Sequence, residues 1–244
     1  MSGAPQLSIP LRTIRDLAPR TQGRDRTLLV MLPGAGEVPE GFARHGFVQA
    51  LRERELTVDA IMVDAHLDYY LERSITSRLT SDVILPALAD CYAQIWLMGI
   101  SLGGMGALMC ARNQPAAIDG VILLAPYLAN RGMIAEIVRG GGLDAWRPAP
   151  VAQQDDEQAL LAWIKAFPCA EEAPPAIYLA YGTADRFAGA SELLAQRLPA
   201  GRVVAVPGDH DWETWGRAWR CILDLGLFSG GSTLAPRSAQ AAST

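Results

Sequence analysis

Uninterrupted apolar runs of strand length alternate along this chain with segments whose apolar residues recur at helical spacing. An apolar run without polar positions predicts a strand covered on both faces, as the inner strands of a parallel sheet are. Such strands are predicted at residues 27–32, 58–63, 95–98, 121–125, 177–181 and 203–206. Helices are predicted at residues 42–53, 78–92, 159–167, 189–198 and 212–223. A weakly alternating segment at residues 7–14 predicts an edge strand, because it contains a proline.

This alternation predicts an α/β fold built on a doubly wound, mostly parallel sheet of about six to eight strands. A chain of 244 residues suffices for one sizeable domain, expected at residues 1–228. The pattern changes at about residues 128–175, where short helical pieces lie between glycine-, proline- and acid-rich stretches. We interpret this segment as a helical insertion over the carboxyl edge of the sheet. Residues 229–244 are rich in serine, glycine and alanine, which predicts a disordered tail.

Composition and charge limit the classes of partner and of cellular location that we expect for this chain. The net charge is −5 and no basic stripe occurs, so nucleic acid is not an expected partner. The apolar runs are far too short to span a membrane, and residues 1–27 lack the pattern of a secretory signal. The four cysteines are scattered singly, which predicts neither a disulfide framework nor a metal site. Cys110 and Cys221 fall on apolar helical faces and are expected to be buried, inert thiols. We therefore expect a cytoplasmic protein.

The segment Gly99-Ile100-Ser101-Leu102-Gly103 directly follows one predicted strand and runs into a stretch of small residues. Gly-x-Ser-x-Gly between a strand and a helix is typical of a nucleophile elbow, a turn that holds the serine at strained backbone angles. The strain exposes the hydroxyl at the sheet edge, and the amides of the following helix point at the reacting centre. Ser101 is therefore the candidate nucleophile of a serine hydrolase. The alternative is a glycine-rich turn in which Ser101 is an ordinary N-cap.

A serine nucleophile needs an imidazole to accept its proton and a carboxylate to orient that imidazole. Of the three histidines, only His210 follows the elbow and stands at the end of a predicted strand, so it is the candidate general base. Asp185, in the loop after the penultimate strand, is the candidate acid, and a plain turn aspartate is the alternative. The neighbouring Asp209 and Asp211 are expected to order the loop or to cap the last helix.

The tetrahedral intermediate also requires two backbone N–H donors. One is expected from Leu102, the residue after the nucleophile. The other is expected from Ala35, in the Gly34-Ala35-Gly36 loop that follows the first core strand. A simple glycine-rich turn is the alternative for this loop. Neither a metal nor another cofactor is required by this chemistry.

Residues 27–228 resemble the α/β-hydrolase superfamily. More narrowly, the chain is similar to the esterase branch that includes S-formylglutathione hydrolase (esterase D), feruloyl and enterochelin esterases and mycolyltransferases. The likeness rests on the elbow extended to residues 99–108, and on Gly208-Asp209-His210-Asp211-Trp212 with Trp215 one turn later. It implies the same triad, and it implies that both tryptophans pack the last helix against the sheet. The loop at residues 32–36 departs from the His-Gly of many relatives.

These observations predict a carboxylic-ester hydrolase that forms an acyl-enzyme with a small-molecule ester or thioester substrate. His66, Asp68, Tyr69 and Tyr70 follow the second core strand and are candidate substrate contacts, although they also fit an ordinary loop. Tyr127, after a later core strand, is a further candidate. Apolar residues of the insertion are candidates for a lid, namely Met133, Ile134, Ile137 and Trp146. A thioesterase, an acyltransferase or a non-catalytic ligand-binding member would have the same sequence features.

Overall fold

The fold is built on a sheet in which six strands run parallel and one edge strand runs antiparallel. The computed structural model describes residues 10–19, 26–167 and 175–228. In these residues the strand order is β1-β3-β2-β4-β5-β6-β7, with only the β1–β3 pair antiparallel. The strands are β1 Thr13–Asp16, β2 Thr27–Leu32, β3 Val58–Val63, β4 Gln94–Ile100, β5 Gly120–Leu124, β6 Ala176–Gly182 and β7 Val203–Val206. The predicted doubly wound, mostly parallel sheet is confirmed.

The helices connect successive strands and cover both faces of the sheet. They are α1 Glu40–Arg44, α2 Phe47–Glu53, α3 Leu67–Leu71, α4 Ile75–Leu79, α5 Leu85–Ala89, α6 Leu102–Asn113, α7 Arg131–Arg139, α8 Asp156–Ala166, α9 Ala188–Ala195 and α10 Trp212–Leu223. A π-helical turn at Thr80–Ile84 joins α4 to α5, and 3₁₀ turns occur at Val151–Gln153 and Ala200–Arg202.

The two faces of the sheet bury separate apolar clusters because side chains alternate along each strand. In β2, Leu28 and Val30 lie in the cluster that also contains residues of α4, α6 and α8. Leu29 and Met31 lie in the opposite cluster, with residues of α2 and α10. The central strands are therefore largely apolar, with Asp59 of β3 as a buried exception, which is why the apolar runs predicted their positions.

Two predicted helices differ from the observed ones. The helix predicted at residues 42–53 is divided into α1 and α2, because Gly46 adopts a left-handed φ of +77° between them. The helix predicted at residues 78–92 is instead a succession of α-helical, π-helical and α-helical turns. Pro86 lies in the first turn of α5, where its missing N–H breaks no bond of that helix.

The segment between β5 and β6 contains α7 and α8 and packs on the same core as the sheet. Leu160, Leu161 and Ile164 of α8 are buried in one cluster with β5 residues, and so are Ile134 and Ile137 of α7. The described residues of this segment therefore share the core of the sheet. A mobile lid formed by it stays a prediction.

The remaining expectations concern the cysteines, the edge strand, the tail and possible membrane helices. Cys110 is buried, and burial raises the pKa of its thiol to about 12. Cys221 is exposed, so the expectation of a buried thiol there was wrong: it lies on the solvent side of α10. The first part of the predicted edge strand, Cys169 and the predicted tail at residues 229–244 lie outside the described residues. No helix in the described part of the chain is long and apolar enough to cross a membrane.

We predict that Gly120→Ala destabilises the fold by about 1–3 kcal/mol, because an added methyl group overpacks the core. A Cβ atom at Gly120 would lie 2.3 Å from the ring of Trp96, which is 1% exposed. Urea unfolding measures the effect. Gly201→Ala is the control, since nothing lies within 4 Å of its added Cβ. Equal unfolding midpoints for the two variants would contradict the prediction.

Candidate active site

Ser101 stands in a strained turn between β4 and α6. Its backbone angles are φ 50° and ψ −114°, outside the regions that L-residues favour. A Cβ atom at Gly99 would lie 2.2 Å from the carbonyl oxygen of Gly103, and one at Gly103 would lie 2.2 Å from that of Leu32. Both positions therefore require glycine for steric reasons. This is the backbone geometry of a nucleophile elbow.

Backbone hydrogen bonds from neighbouring segments hold the elbow in place. The Ser101 amide donates to Leu124 at the end of β5, at 3.0 Å. The carbonyl of Ser101 accepts from the amides of Gly104 and Tyr127, each at 2.9 Å. Ala125, between β5 and Tyr127, also has a positive φ of 47°. The loop after β5 thus fixes the strained turn that carries the serine.

His210 and Asp185 are joined by a short hydrogen bond. The imidazole Nδ1 lies 2.6 Å from Oδ2 of Asp185, whose side chain is 1% exposed. The other carboxylate oxygen accepts from the Phe187 amide at 2.7 Å. A carboxylate at Nδ1 favours the tautomer with the proton on that nitrogen, so Nε2 is left free to accept a proton.

The loops that carry these two residues are bonded to each other through their backbones. The amide of Thr183 donates to Val206 at 2.8 Å, and the amide of Ala184 donates to Gly208 at 2.9 Å. Gly182 makes this approach possible, since a Cβ atom there would lie 2.4 Å from the Gly208 carbonyl oxygen. The His210–Asp185 distance is therefore set by the contact between two loops.

The acidic neighbours of His210 have structural contacts of their own. Asp211 is the N-cap of α10 and accepts from the Thr214 amide at 2.8 Å, a bond that lowers the pKa of its carboxyl group. Asp209 accepts from the backbone amide of His210 at 2.8 Å. Their expected roles in ordering the loop and capping the helix agree with these contacts.

Ser101 and His210 line one cavity of about 790 Å³. Within residues 26–167 and 175–228, no hydrogen bond joins the Ser101 hydroxyl to His210. Active-site hydrogen bonds of this kind are often long without substrate and shorten when substrate binds. Ala35 and Leu102 line the same cavity, and neither amide donates to another described residue. Gly34 brings the first of these amides close, since its Cβ would lie 3.5 Å from that of Ser101.

Of the other residues predicted to contact the substrate, some line the cavity and others lie in the core. Tyr127 lines the cavity, whereas Tyr69 is 1% exposed and belongs to the core. His66 packs on Tyr69, with ring centroids 4.5 Å apart, and does not line the cavity. Asp68 does not line the cavity. Tyr70, a candidate from the same segment, lines the cavity although Tyr69 does not, because successive residues of α3 are rotated by about 100°. Its hydroxyl is buried without a partner among the described residues, and burial raises its pKa.

The two tryptophans implied to pack the last helix have different surroundings. Trp212 packs edge-on against Phe42 and Phe47, so it joins α10 to α1 and α2. Trp215 is buried, lines the cavity and contacts the His210 ring edge-on, with centroids 5.0 Å apart. The motif that predicted both residues did not distinguish these positions.

Glu157 is a cavity residue that the sequence patterns did not reveal. Its carboxylate accepts from the Tyr127 hydroxyl, and from the amide and side chain of Asn130 at 3.0 and 2.8 Å. Burial raises the pKa of the Tyr127 hydroxyl, and the hydrogen bond to Glu157 raises it further. The only available signal was an acidic run at the start of α8, which also fits helix capping. No metal-binding group of three His, Cys, Asp or Glu side chains occurs in the described part of the chain.

Comparison with known proteins identifies a family. Residues 69–220 match the family described as "Putative esterase", and this segment contains the elbow, Asp185 and His210. No curated protein matches the sequence.

Solved structures with the same fold have low sequence identity to this chain. Est1E from Butyrivibrio proteoclasticus is 18% identical, with a TM-score of 0.57 over 88% of this chain and 94% of that one. The S-formylglutathione hydrolase FrmB from Staphylococcus aureus is 15% identical, with a TM-score of 0.56 over 84% and 83%. A monoacylglycerol lipase from Paleococcus ferrophilus is 19% identical, with a TM-score of 0.56 over 90% and 98%. At these identities the likeness establishes the α/β fold.

We predict that Gly182→Ala weakens the hydrogen bond between His210 and Asp185. The added Cβ would lie 2.4 Å from the Gly208 carbonyl oxygen, where ordinary contacts begin at 3.4 Å, so the two loops must separate. The Nδ1 proton of such a bond gives a far-downfield proton NMR signal, which we expect to be lost. Gly201→Ala should retain the signal. A folded Gly182→Ala protein with the signal unchanged would contradict this account of the loop contact.

Proposed function

Because this chain belongs to the esterase family, we propose that it hydrolyses small-molecule carboxylic esters with a Ser101–His210–Asp185 triad. The observation that carries the proposal is the 2.6 Å hydrogen bond that orients His210 in the wall of the cavity that Ser101 also lines. A strained serine, an oriented imidazole and a buried carboxylate are the parts that this mechanism requires.

In the first half of the reaction, the Ser101 hydroxyl attacks the acyl carbon while Nε2 of His210 takes its proton. Asp185 holds the imidazole by Nδ1 and stabilises the imidazolium that forms. The tetrahedral intermediate collapses when His210 gives the proton to the leaving alkoxide, and Ser101 remains acylated. In the second half, His210 removes a proton from water, and the resulting hydroxide attacks the acyl carbon. His210 then returns the proton to the Ser101 oxygen as the acyl–oxygen bond breaks, which releases the carboxylic acid and restores the free enzyme.

The negative charge of the tetrahedral intermediate would be stabilised by the amides of Ala35 and Leu102. Both residues line the cavity and both amides lack acceptors among the described residues, which supports this assignment. Leu102 begins α6, so the partial positive charge of that helix end acts in the same direction. A single donor of this kind is worth about 10²–10³ in turnover.

We predict that Ser101→Ala lowers the turnover of a short p-nitrophenyl ester by at least about 10³-fold, since no other nucleophile replaces the hydroxyl. The variant should also lose covalent labelling by a fluorophosphonate probe, with an unchanged circular dichroism spectrum. Ser77→Ala is the matched control, because its hydroxyl is exposed and, among the residues that the structure describes, bonds only to the Ser74 carbonyl. Equal activity of native protein and Ser101→Ala would instead favour a non-catalytic ligand-binding member of the family.

Asp185→Asn should lower turnover by about 10⁴-fold, because an amide at this position favours the wrong imidazole tautomer. Steady-state hydrolysis of the same ester measures the loss. Asp209→Asn is the comparison, since it keeps an oxygen that can accept the bond from the His210 amide, and its loss should be far smaller. Similar losses for both variants would mean that the loop, and not the Asp185 carboxylate, orients the base.

A further inference from the structure

An apolar pocket of about 250 Å³ adjoins the proposed catalytic cavity. The two spaces share Tyr127, Arg186 and Phe187 as lining residues, so they lie side by side. The rest of the pocket is lined mainly by small and aliphatic side chains of the loop after β5 and of α7 and α9. It has the character of a subsite for an apolar group of the substrate.

One face of α7 forms a wall of this pocket. Arg131, Ile134, Ala135 and Val138 recur at helical spacing and all line it. Ala135 and Val138 are exposed, so this part of the wall is open to an incoming ligand. The face therefore presents aliphatic groups and ends in a guanidinium group.

Two arginines flank the ring of Phe187 at the rim. The guanidinium carbons of Arg186 and Arg131 lie 4.8 and 5.7 Å from the ring centroid. Both side chains are exposed, and neither makes an ion pair or a hydrogen bond with any residue in the described ranges. Their contact with the ring orients the two guanidinium groups while leaving their N–H donors available.

Four acidic residues line the neighbouring cavity, and three of them have side-chain contacts of their own. Asp156 pairs with Arg73 at 3.4 Å, and Asp155 caps α8. Glu157 accepts the bonds from Tyr127 and Asn130 described above. Glu37 also lines the cavity and has no ion pair within the described residues, so negative charge is present there too. The charge that lies directly beside Phe187 is positive.

Phe187 also connects the apolar pocket to His210, the proposed base. Its ring contacts the His210 ring edge-on, with centroids 4.9 Å apart. In the proposed mechanism, His210 protonates the leaving alcohol, so the alcohol part of the ester lies next to this imidazole. A pocket that begins at Phe187 is thus placed on the alcohol side of the scissile bond.

We propose that this pocket binds the alcohol part of the substrate, an apolar or aromatic group that carries a carboxylate, and that Arg131 and Arg186 bind that carboxylate. The assignment rests on the proposed esterase function. Guanidinium groups suit a carboxylate because their paired N–H donors match its two oxygens. The aliphatic wall of α7 and α9 contacts the body of the same group.

The test compares hydrolysis of 4-acetoxybenzoate with that of its neutral methyl ester in native protein and in Arg131→Gln/Arg186→Gln. The ratio of the two kcat/KM values is compared between proteins, which cancels the different reactivities of the leaving groups. We expect the double variant to lower the ratio of charged to neutral substrate by about tenfold, as for loss of a charged hydrogen bond. High salt should reduce the native ratio, since the guanidinium groups are exposed.

Control measurements test whether the effect depends on arginines that line the pocket and on a charge in the alcohol part of the substrate. Arg139→Gln, on the same helix but outside the pocket, should leave the ratio unchanged. A charge on the acyl side, in 4-nitrophenyl hydrogen adipate against its methyl ester, should give a ratio that the double variant does not change. Ala135→Trp, which fills the pocket from its open wall, should lower kcat/KM for 4-acetoxybenzoate.

The outcomes separate this inference from the proposed function. Hydrolysis that depends on Ser101 but has the same ratio in native and double-variant protein would overturn the subsite alone. If the double variant changed the ratio only for the adipate esters, which carry the charge on the acyl side, the placement of the subsite on the alcohol side would be overturned. Hydrolysis of neither ester, or hydrolysis that persists in Ser101→Ala, would overturn the esterase mechanism itself.

Discussion

The site depends on one close backbone contact, where the start of α6 passes against the end of β2. Glycine at position 103 allows this contact, since any Cβ would lie 2.2 Å from the Leu32 carbonyl oxygen. The contact keeps the turn at Ser101 tight enough to hold a positive φ, and it brings the loop after β2 beside the serine. The geometry of Ser101, the proposed nucleophile, and the position of the proposed backbone donor at Ala35 therefore have a common steric origin.

The strand order supplies the other parts of the site. β4, β5, β6 and β7 are consecutive neighbours, so the loops at their carboxyl ends meet at one edge. The loop after β5 holds the elbow, while those after β6 and β7 are bonded to each other and carry Asp185 and His210. Phe187, two residues beyond the acid, extends the same loop to the apolar pocket. The orientation of His210, the proposed base, and the position of that pocket thus depend on one short segment.

The charged groups on two sides of the cavity differ in whether they have partners within the described residues. On the α8 side, carboxylates are satisfied by a helix cap, an ion pair and the Tyr127–Asn130 contacts. On the Phe187 side, two guanidinium groups rest on an aromatic ring with their donors unused by the described residues. An unpaired exposed charge gains most from a ligand that supplies its partner, because local groups have not already compensated it.

The sequence by itself determined the parallel strands, since residues buried on both faces of a sheet must be apolar throughout. It also determined that Ser101 stands between a strand and a helix, and which His and Asp end later strands. Tertiary packing alone decided which of the two candidate tyrosines, Tyr69 and Tyr70, lines the cavity. It also decided that Glu157 binds Tyr127 and that Phe187 contacts His210. Local periodicity records whether a residue is buried, but contacts between distant segments arise only when the chain has folded and loops from different strands meet.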